Sequence, residues 1–293
     1  MTHRLALMLA VSAVAPARGQ ANPAPPVPAL SRLPASVRVA GLAGAGVAMP
    51  GHAAGIFDNP SSIGPIRTLS LEAAYARLPD DSWYTTGAAA ARVKMFNLGA
   101  GYRYLRYYNA GPIRDNLSWS GAGVWRVKGV ALGGSVNTVA VEDSGGTVYR
   151  TVTSDAGITL AFFEIAAIGL TVHNLGQFGI RGPDLSLPRN THLGFSLNLI
   201  DSYSTGRLLA TVETVWTESE AHRTIFGLEG GAVFRGVGLI GRIGTGPPPA
   251  NSTMSRTAYG ASLVLSGARL DYAYQAQSAV GRSIHLVGVR WTP

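Results

Sequence analysis

Met95 to Arg106 reads MFNLGAGYRYLR, and its alternation decides the fold. Phe96, Leu98, Ala100, Tyr102 and Tyr104 share one face of an extended chain, while Asn97, Gly99, Gly101 and Arg103 share the other. A period of two marks a strand with one oily face and one polar or small face, and helical spacing of three and four does not fit. Leu117 to Val127 repeats the pattern, with Leu117, Trp119, Trp125 and Val127 against Ser118, Ser120, Ala122 and Arg126. Arg269 to Gln275 repeats it again, with Leu270, Tyr272 and Tyr274 against Arg269, Asp271 and Gln275. From Arg67 to the end, alternating segments of about ten residues succeed one another, about fourteen in all.

The connections carry a second signal. Very short turns near Val93-Lys94, Lys128-Gly129, Glu164, Arg235-Gly236 and Gly267 alternate with longer stretches over 107–116, 174–189 and 245–255. An up-and-down barrel puts all tight turns at one rim and all long loops at the other, as outer-membrane barrels do with periplasmic turns and extracellular loops. The expected fold is therefore all-β, a transmembrane antiparallel up-and-down β-barrel of about 14 strands over residues 67–293.

Composition agrees with a lipid-facing surface. Charged residues are 14% of the chain, against roughly 25% in soluble domains, while 46% are hydrophobic. The absence of cysteine excludes a disulfide framework, thiolate metal sites and N-terminal lipidation. A net charge of +8 invites a nucleic-acid reading, but the basic residues are scattered singly and Lys94 and Lys128 are the only lysines, so no nucleic-acid partner is expected.

Charges within the strands fall mostly on the expected inner face: Glu72, Arg103, Arg126, Arg207, Glu213, Arg223, Glu229 and Asp271. Their mixed signs point to ion pairs across the lumen, and a cation on the lipid face at mid-depth would cost about 2–4 kcal/mol. Trp83, Trp119, Trp125, Tyr149, Trp216 and Trp291 are placed near strand ends, where aromatic girdles belong. A soluble amphipathic sheet would share the alternation but gives no reason for the turn asymmetry.

The N-terminus reads as an address. His3 and Arg4, the apolar run Leu5 to Ala15 and the small-residue site Ala17-Arg18-Gly19 make residues 1–19 a signal peptide, followed by a Pro-rich stretch over 20–36. Residues 37–66 differ from both flanks. Val39 to Gly64 reads VAGLAGAGVAMPGHAAGIFDNPSSIG, too small in side chains for a core of its own and ending on the turn dipeptide Asn59-Pro60.

This stretch resembles the N-terminal signature of the PorV/PorQ outer-membrane barrels, relatives of the FadL-type long-chain fatty-acid transporters. Further matches are Gly169 to Gly176 (GLTVHNLG), Leu187-Pro188 before Gly194, and Leu270-Asp271-Tyr272-Ala273-Tyr274 in the penultimate strand. The resemblance covers essentially the whole mature chain and implies a fourteen-stranded barrel with residues 37–66 tucked inside as a hatch. Gly41, Gly44, Gly46, Asn59 and Pro60 match the hatch motif; Ser61 and Ser62 stand where a small Ala-Gly pair is usual, and His52 where acids are common. It also implies an outer-membrane location and a role in type IX-like protein secretion or surface attachment, with secretion components or cargo as partners. The alternative it carries is transport of a hydrophobic or amphipathic small molecule.

Enzyme signatures are poor, and no cofactor is expected. Gly41-Leu42-Ala43-Gly44-Ala45-Gly46 lacks dinucleotide-loop spacing and a preceding strand, and Gly194-Phe195-Ser196 is not continued as a nucleophile elbow. His52, His173, His192, His222 and His285 lack carboxylates at zinc-site spacing, so no metal site is assigned. Asp80-Asp81 and Glu142-Asp143 read as solvated turns or weak cation sites. Arg106, Arg114, Arg189, Arg242 and Arg256 are placed to meet lipopolysaccharide phosphates or solvent.

Overall fold

The computed structural model describes residues 30, 33–78, 81–108, 113–163, 165–181, 185, 187–202, 206–218, 220–249, 254–277 and 283–293. The signal peptide, most of the Pro-rich stretch, Asp80 and Glu164 lie outside these residues. The strands are β1 (Leu69–Arg77), β2 (Trp83–Val93), β3 (Phe96–Arg106), β4 (Ile113–Val127), β5 (Val130–Asp143), β6 (Val148–Phe162), β7 (Ala166–His173) and β8 (Gln177–Arg181). They continue as β9 (Asn190–Ser202), β10 (Gly206–Thr217), β11 (Arg223–Phe234), β12 (Val237–Thr245), β13 (Met254–Leu265), β14 (Ala268–Gln277) and β15 (Ser283–Trp291).

Each strand pairs antiparallel with its neighbours, and β1 pairs with β15 from Leu71↔Trp291 to Arg77↔His285, closing the sheet. Fifteen segments make a barrel of 14 strands because β7 and β8 share one wall position. β7 is laddered to β6 and β9, whereas β8 pairs with β6 alone; Asn174 to Gly176 lie between them, and Asn174 takes a positive φ of 59°. Tight turns fall at one rim. Arg235-Gly236 and Ser266-Gly267 have positive φ at both residues, the mirror-image turn geometry whose twist matches paired strands.

The alternation holds through the wall. Outward positions such as Leu98, Val136, Leu199, Phe226, Leu239, Leu270 and Val287 are exposed, while inward ones are small, polar, or, like Tyr84, Leu105, Ile225 and Leu286, buried in clusters with the inner segment. No helix among the described residues is long and apolar enough to cross a membrane. The short-turn rim carries exposed Arg67, Arg92, Lys94, Arg126, Lys128, Arg207 and Arg235.

Several expectations change. β4 starts at Ile113, so the 107–116 connection shrinks to 107–112; β8 occupies part of 174–189, and β13 starts at Met254. These segments were too short or too irregular in pattern to show as strands. Trp119 sits near the middle of β4 rather than at an end, packed on Tyr102 across the pair. Tyr149 faces inward, against Val139, Val141, Leu185 and Leu187, because apolar chain folds back over the top of β5 and β6.

The outward face of β5 offers a direct check. Val136→Arg should destabilise the barrel by about 2–4 kcal/mol in lipid, because the guanidinium enters hydrocarbon at mid-strand. Reversible urea unfolding from vesicles measures it, and an unchanged midpoint would show that this face does not meet lipid.

Candidate functional site

Residues 33–66 lie inside the barrel and are nearly all buried. They form one α-helical turn, α1 (Val37–Ala40), and two 3-10 turns, Ala53–Phe57 and Pro60–Ile63. So Gly/Ala-rich a sequence buries little side chain of its own, and its apolar residues use the wall as their core. Ala53, Ile56, Phe57, Ile63 and Ile66 pack on Ala88, Ala90, Ala122, Val124 and Ala131.

The wall admits the segment because inward positions are glycine where backbone meets backbone. A Cβ at Gly133 would stand 2.5 Å from the Ser61 nitrogen, and one at Gly288 2.7 Å from Val37 Cγ2. At Gly244, Gly169 and Gly157 it would overlap the Leu42 carbonyl, the Val47 carbonyl and the Asn59 side chain. Of the motif glycines, Gly41 faces the Gly260 backbone, Gly44 needs a φ of +99°, and Gly46 packs against Val39 and Asp58.

Three buried wall carboxylates hold the segment. Glu229 takes both Arg38 nitrogens, at 2.8 and 2.7 Å, and the Arg242 Nε at 2.7 Å; Asp271 extends the chain to Arg242 and Arg269. Glu213 accepts the Gly46 and Val47 N–H groups at 2.7 and 2.9 Å and pairs with His192 Nδ1 at 2.7 Å. Glu72 accepts from Ser36 Oγ and the Ala54 N–H and pairs with Arg290. Deleting Arg38 would leave the Glu229 carboxylate short of a buried partner, a change that typically costs about 3–5 kcal/mol.

Asn59 and Pro60 open the last 3-10 turn. Asn59 Oδ1 accepts from the Ser61 N–H and hydroxyl, and Nδ2 donates to the Val47 carbonyl and Thr159. Ser61 also bonds Thr159 across to the wall, whereas the Ser62 hydroxyl and both His52 ring nitrogens have no protein partner. Burial drives the His52 pKa down to about 3. The Ser61 hydroxyl thus adds a tie between the inner segment and the wall.

The expected lumen charges divide into groups. Glu72, Glu229 and Asp271 are buried as ion-pair acceptors and Glu213 as a hydrogen-bond acceptor, while Arg223 is half-buried at the long-loop end of β11. Arg126 and Arg207 have inward parity but lie exposed at the short-turn rim, below the inner segment. Arg103 faces inward yet donates to the Leu30 carbonyl and lies 5.0 Å over the Phe57 ring. Pattern alone missed the basic partners Arg38, Arg242, Arg269 and Arg290, because pairing depends on cross-strand register. Arg242 is correspondingly no phosphate contact, being buried in this network, and Arg114 pairs with Asp115 and Glu142.

Above the segment, on the long-loop side, the lumen is not filled. Cavities of about 120, 90 and 60 Å³ all border His192, and the two larger share Asp58 and Leu33. Two histidines read as isolated meet here: His173 pairs with Asp155 at 3.2 Å, and its ring lies 5.1 Å from that of His192. Lateral pairing of β6 with β7 and of β7 with β9 brings these three residues together. Burial, then the nearby Glu213 charge, pushes the Asp58 carboxyl up to about 7.

No family model matches the sequence, and no curated protein matches it. Solved structures do. The chain is similar to the Ralstonia pickettii toluene transporter TbuX, with TM-score 0.63 and 11% identity over 88% of this chain and 98% of that one. The CymD monoaromatic hydrocarbon channel gives 0.64 and 9% over 88% and 97%. A Pseudomonas aeruginosa FadL homologue gives 0.53 and 13% over 88% and 98%. The shared property is the fold.

Two outcomes follow from this geometry. Gly244→Val should expel or misplace the inner segment, so that limited proteolysis of the folded barrel cleaves within residues 37–66, where wild type resists. Asp58→Asn should change the pH profile of stability. With a folded pKa above the unfolded value of about 3.9, Asp58 contributes its stability below pH 4 and loses it as pH rises through about 7. The variant should therefore gain more in urea midpoint at pH 8 than at pH 5, and an equal shift at both would remove the buried carboxyl from the account.

Proposed function

We propose that this chain is an outer-membrane transporter that takes a small molecule from its long-loop side into the lumen and passes it by the inner segment. The observation carrying this reading is the run of cavities bordering His192, which starts on the segment at Phe57 and Asp58 and reaches Pro188, Thr217 and Pro249 towards the loops. A purely structural barrel has no use for cavities stacked on one side of a constriction. The barrel architecture shared with hydrocarbon and toluene transporters supports the same reading.

Protein secretion or surface attachment, the main role that the resemblance implies, calls for long loops over 107–116 and 174–189 as docking surfaces. The first of these shortens to 107–112 and the second carries β8, which leaves that reading without an observation of its own. Passage must occur without withdrawing the whole segment, since Glu72, Glu213 and Glu229 would each lose buried partners. The Asn59 turn is the weaker point, held by neutral hydrogen bonds worth about 1 kcal/mol each.

Reconstituted protein tests the proposal. Asn59→Ala should raise single-channel conductance and the rate of small-solute entry into proteoliposomes, with wild type slower and more selective. A barrel impermeable to every small solute in both forms would end the transport reading.

A further inference from the structure

The roomiest of the three cavities that border His192 is lined by five ionisable side chains, and their partners sort them into two kinds. Asp155 is matched by His173 and accepts from Ser135, Asn137 and the Asn174 N–H. His192 is matched by Glu213. Asp58 and Arg103 are the exceptions. Among the described residues neither has an opposite charge within ion-pair distance, and the Asp58 Oδ2 and Arg103 Nε atoms are buried without a hydrogen-bond partner. Each feels the other's field, since Arg103 favours the charged form of Asp58, yet they do not touch.

Neutral groups around the same space are also unspent. The hydroxyls of Ser118 and Thr153, each 1% exposed, and Asn190 Oδ1 have no protein partner, and all three residues line this cavity. Buried polar atoms in folded proteins are paired as a rule, so a cluster of orphans around one cavity marks a place where something else supplies the partners. A hydrocarbon supplies none, and would desolvate two charges without compensation.

We infer that this cavity binds a small zwitterion, its cationic group on Asp58 and its anionic group on Arg103, with the Ser118 and Thr153 hydroxyls and Asn190 completing the hydrogen bonding. Size agrees: the space is about 120 Å³, and an apolar cavity of about 150 Å³ accommodates benzene, so a ligand of roughly five to seven heavy atoms fits. Phe57 and Leu33, on the same lining, give a short aliphatic spacer an apolar bed. This inference rests on the proposed transport and names its substrate class.

The test is calorimetric titration of the purified full-length barrel in detergent with glycine, β-alanine and 4-aminobutyrate, against propionate, propylamine and toluene. One spacing of the amino-acid series should bind at least about 10-fold tighter than either single-charge control. Asp58→Asn and Arg103→Gln should each weaken it by about 10–100-fold, with the heat-dependent electrophoretic shift of the folded barrel unchanged. Binding of propionate or propylamine as tight as the zwitterion, binding indifferent to both substitutions, or no binding at all would overturn the inference. Proteoliposome flux separates the two claims. Toluene entry without zwitterion binding keeps transport and discards this ligand; zwitterion binding without flux keeps the ligand site and discards transport.

Discussion

A peptide group in hydrocarbon has no water to bond, and everything else in this protein follows from satisfying that requirement. The sheet closes through β1 and β15, and among the described strands only the short β8, which pairs with β6 alone, keeps an unpaired edge. Closure fixes a lumen of limited width, and the lumen then sets the terms for what fills it. Inward side chains are small where the inner segment passes and charged where it can be held. Outward side chains are left free to be oily, which accounts for the low charge density.

The inner segment has the opposite problem, a backbone with many polar groups and few side chains. Its N–H and carbonyl groups are met by wall residues: Glu213 for Gly46 and Val47, Thr86 for Ala35, Asn97 for Ile66, Ser196 for Ala48. The wall thereby does for this segment what a helix or sheet does for an ordinary chain. The arrangement is rigid where carboxylates bind it and looser over the cavities, where Asp58 and Arg103 stand apart.

The fold was legible in sequence because a period of two is local. MFNLGAGYRYLR reveals its two faces without knowing its neighbours, and the turn asymmetry orders the strands. Asn59-Pro60 stood out for the same reason, being a local turn signal. What stayed hidden depends on register: that Arg242 of β12 stands opposite Glu229 of β11, or that His173 and His192, in strands laddered together, share one cavity. The break at Asn174 was legible as the start of a connection, but β8 beyond it was silent, since five residues are too few to show a period. Tyr149 was misplaced because its partners, Leu185 and Leu187, come from chain that returns over the rim.

The join between the first and last strands has a consequence for biogenesis. Glu72 of β1 faces Arg290 of β15 across that seam, and the same carboxylate receives Ser36 and Ala54 from the inner segment; Gly288 of β15 leaves room for Val37. A cylinder closed without its contents would keep the Glu72–Arg290 pair but lose the Ser36 and Ala54 bonds to the same carboxylate. The same seam residues thus serve both the wall and the inner segment, so completion of the wall and seating of the segment are energetically coupled.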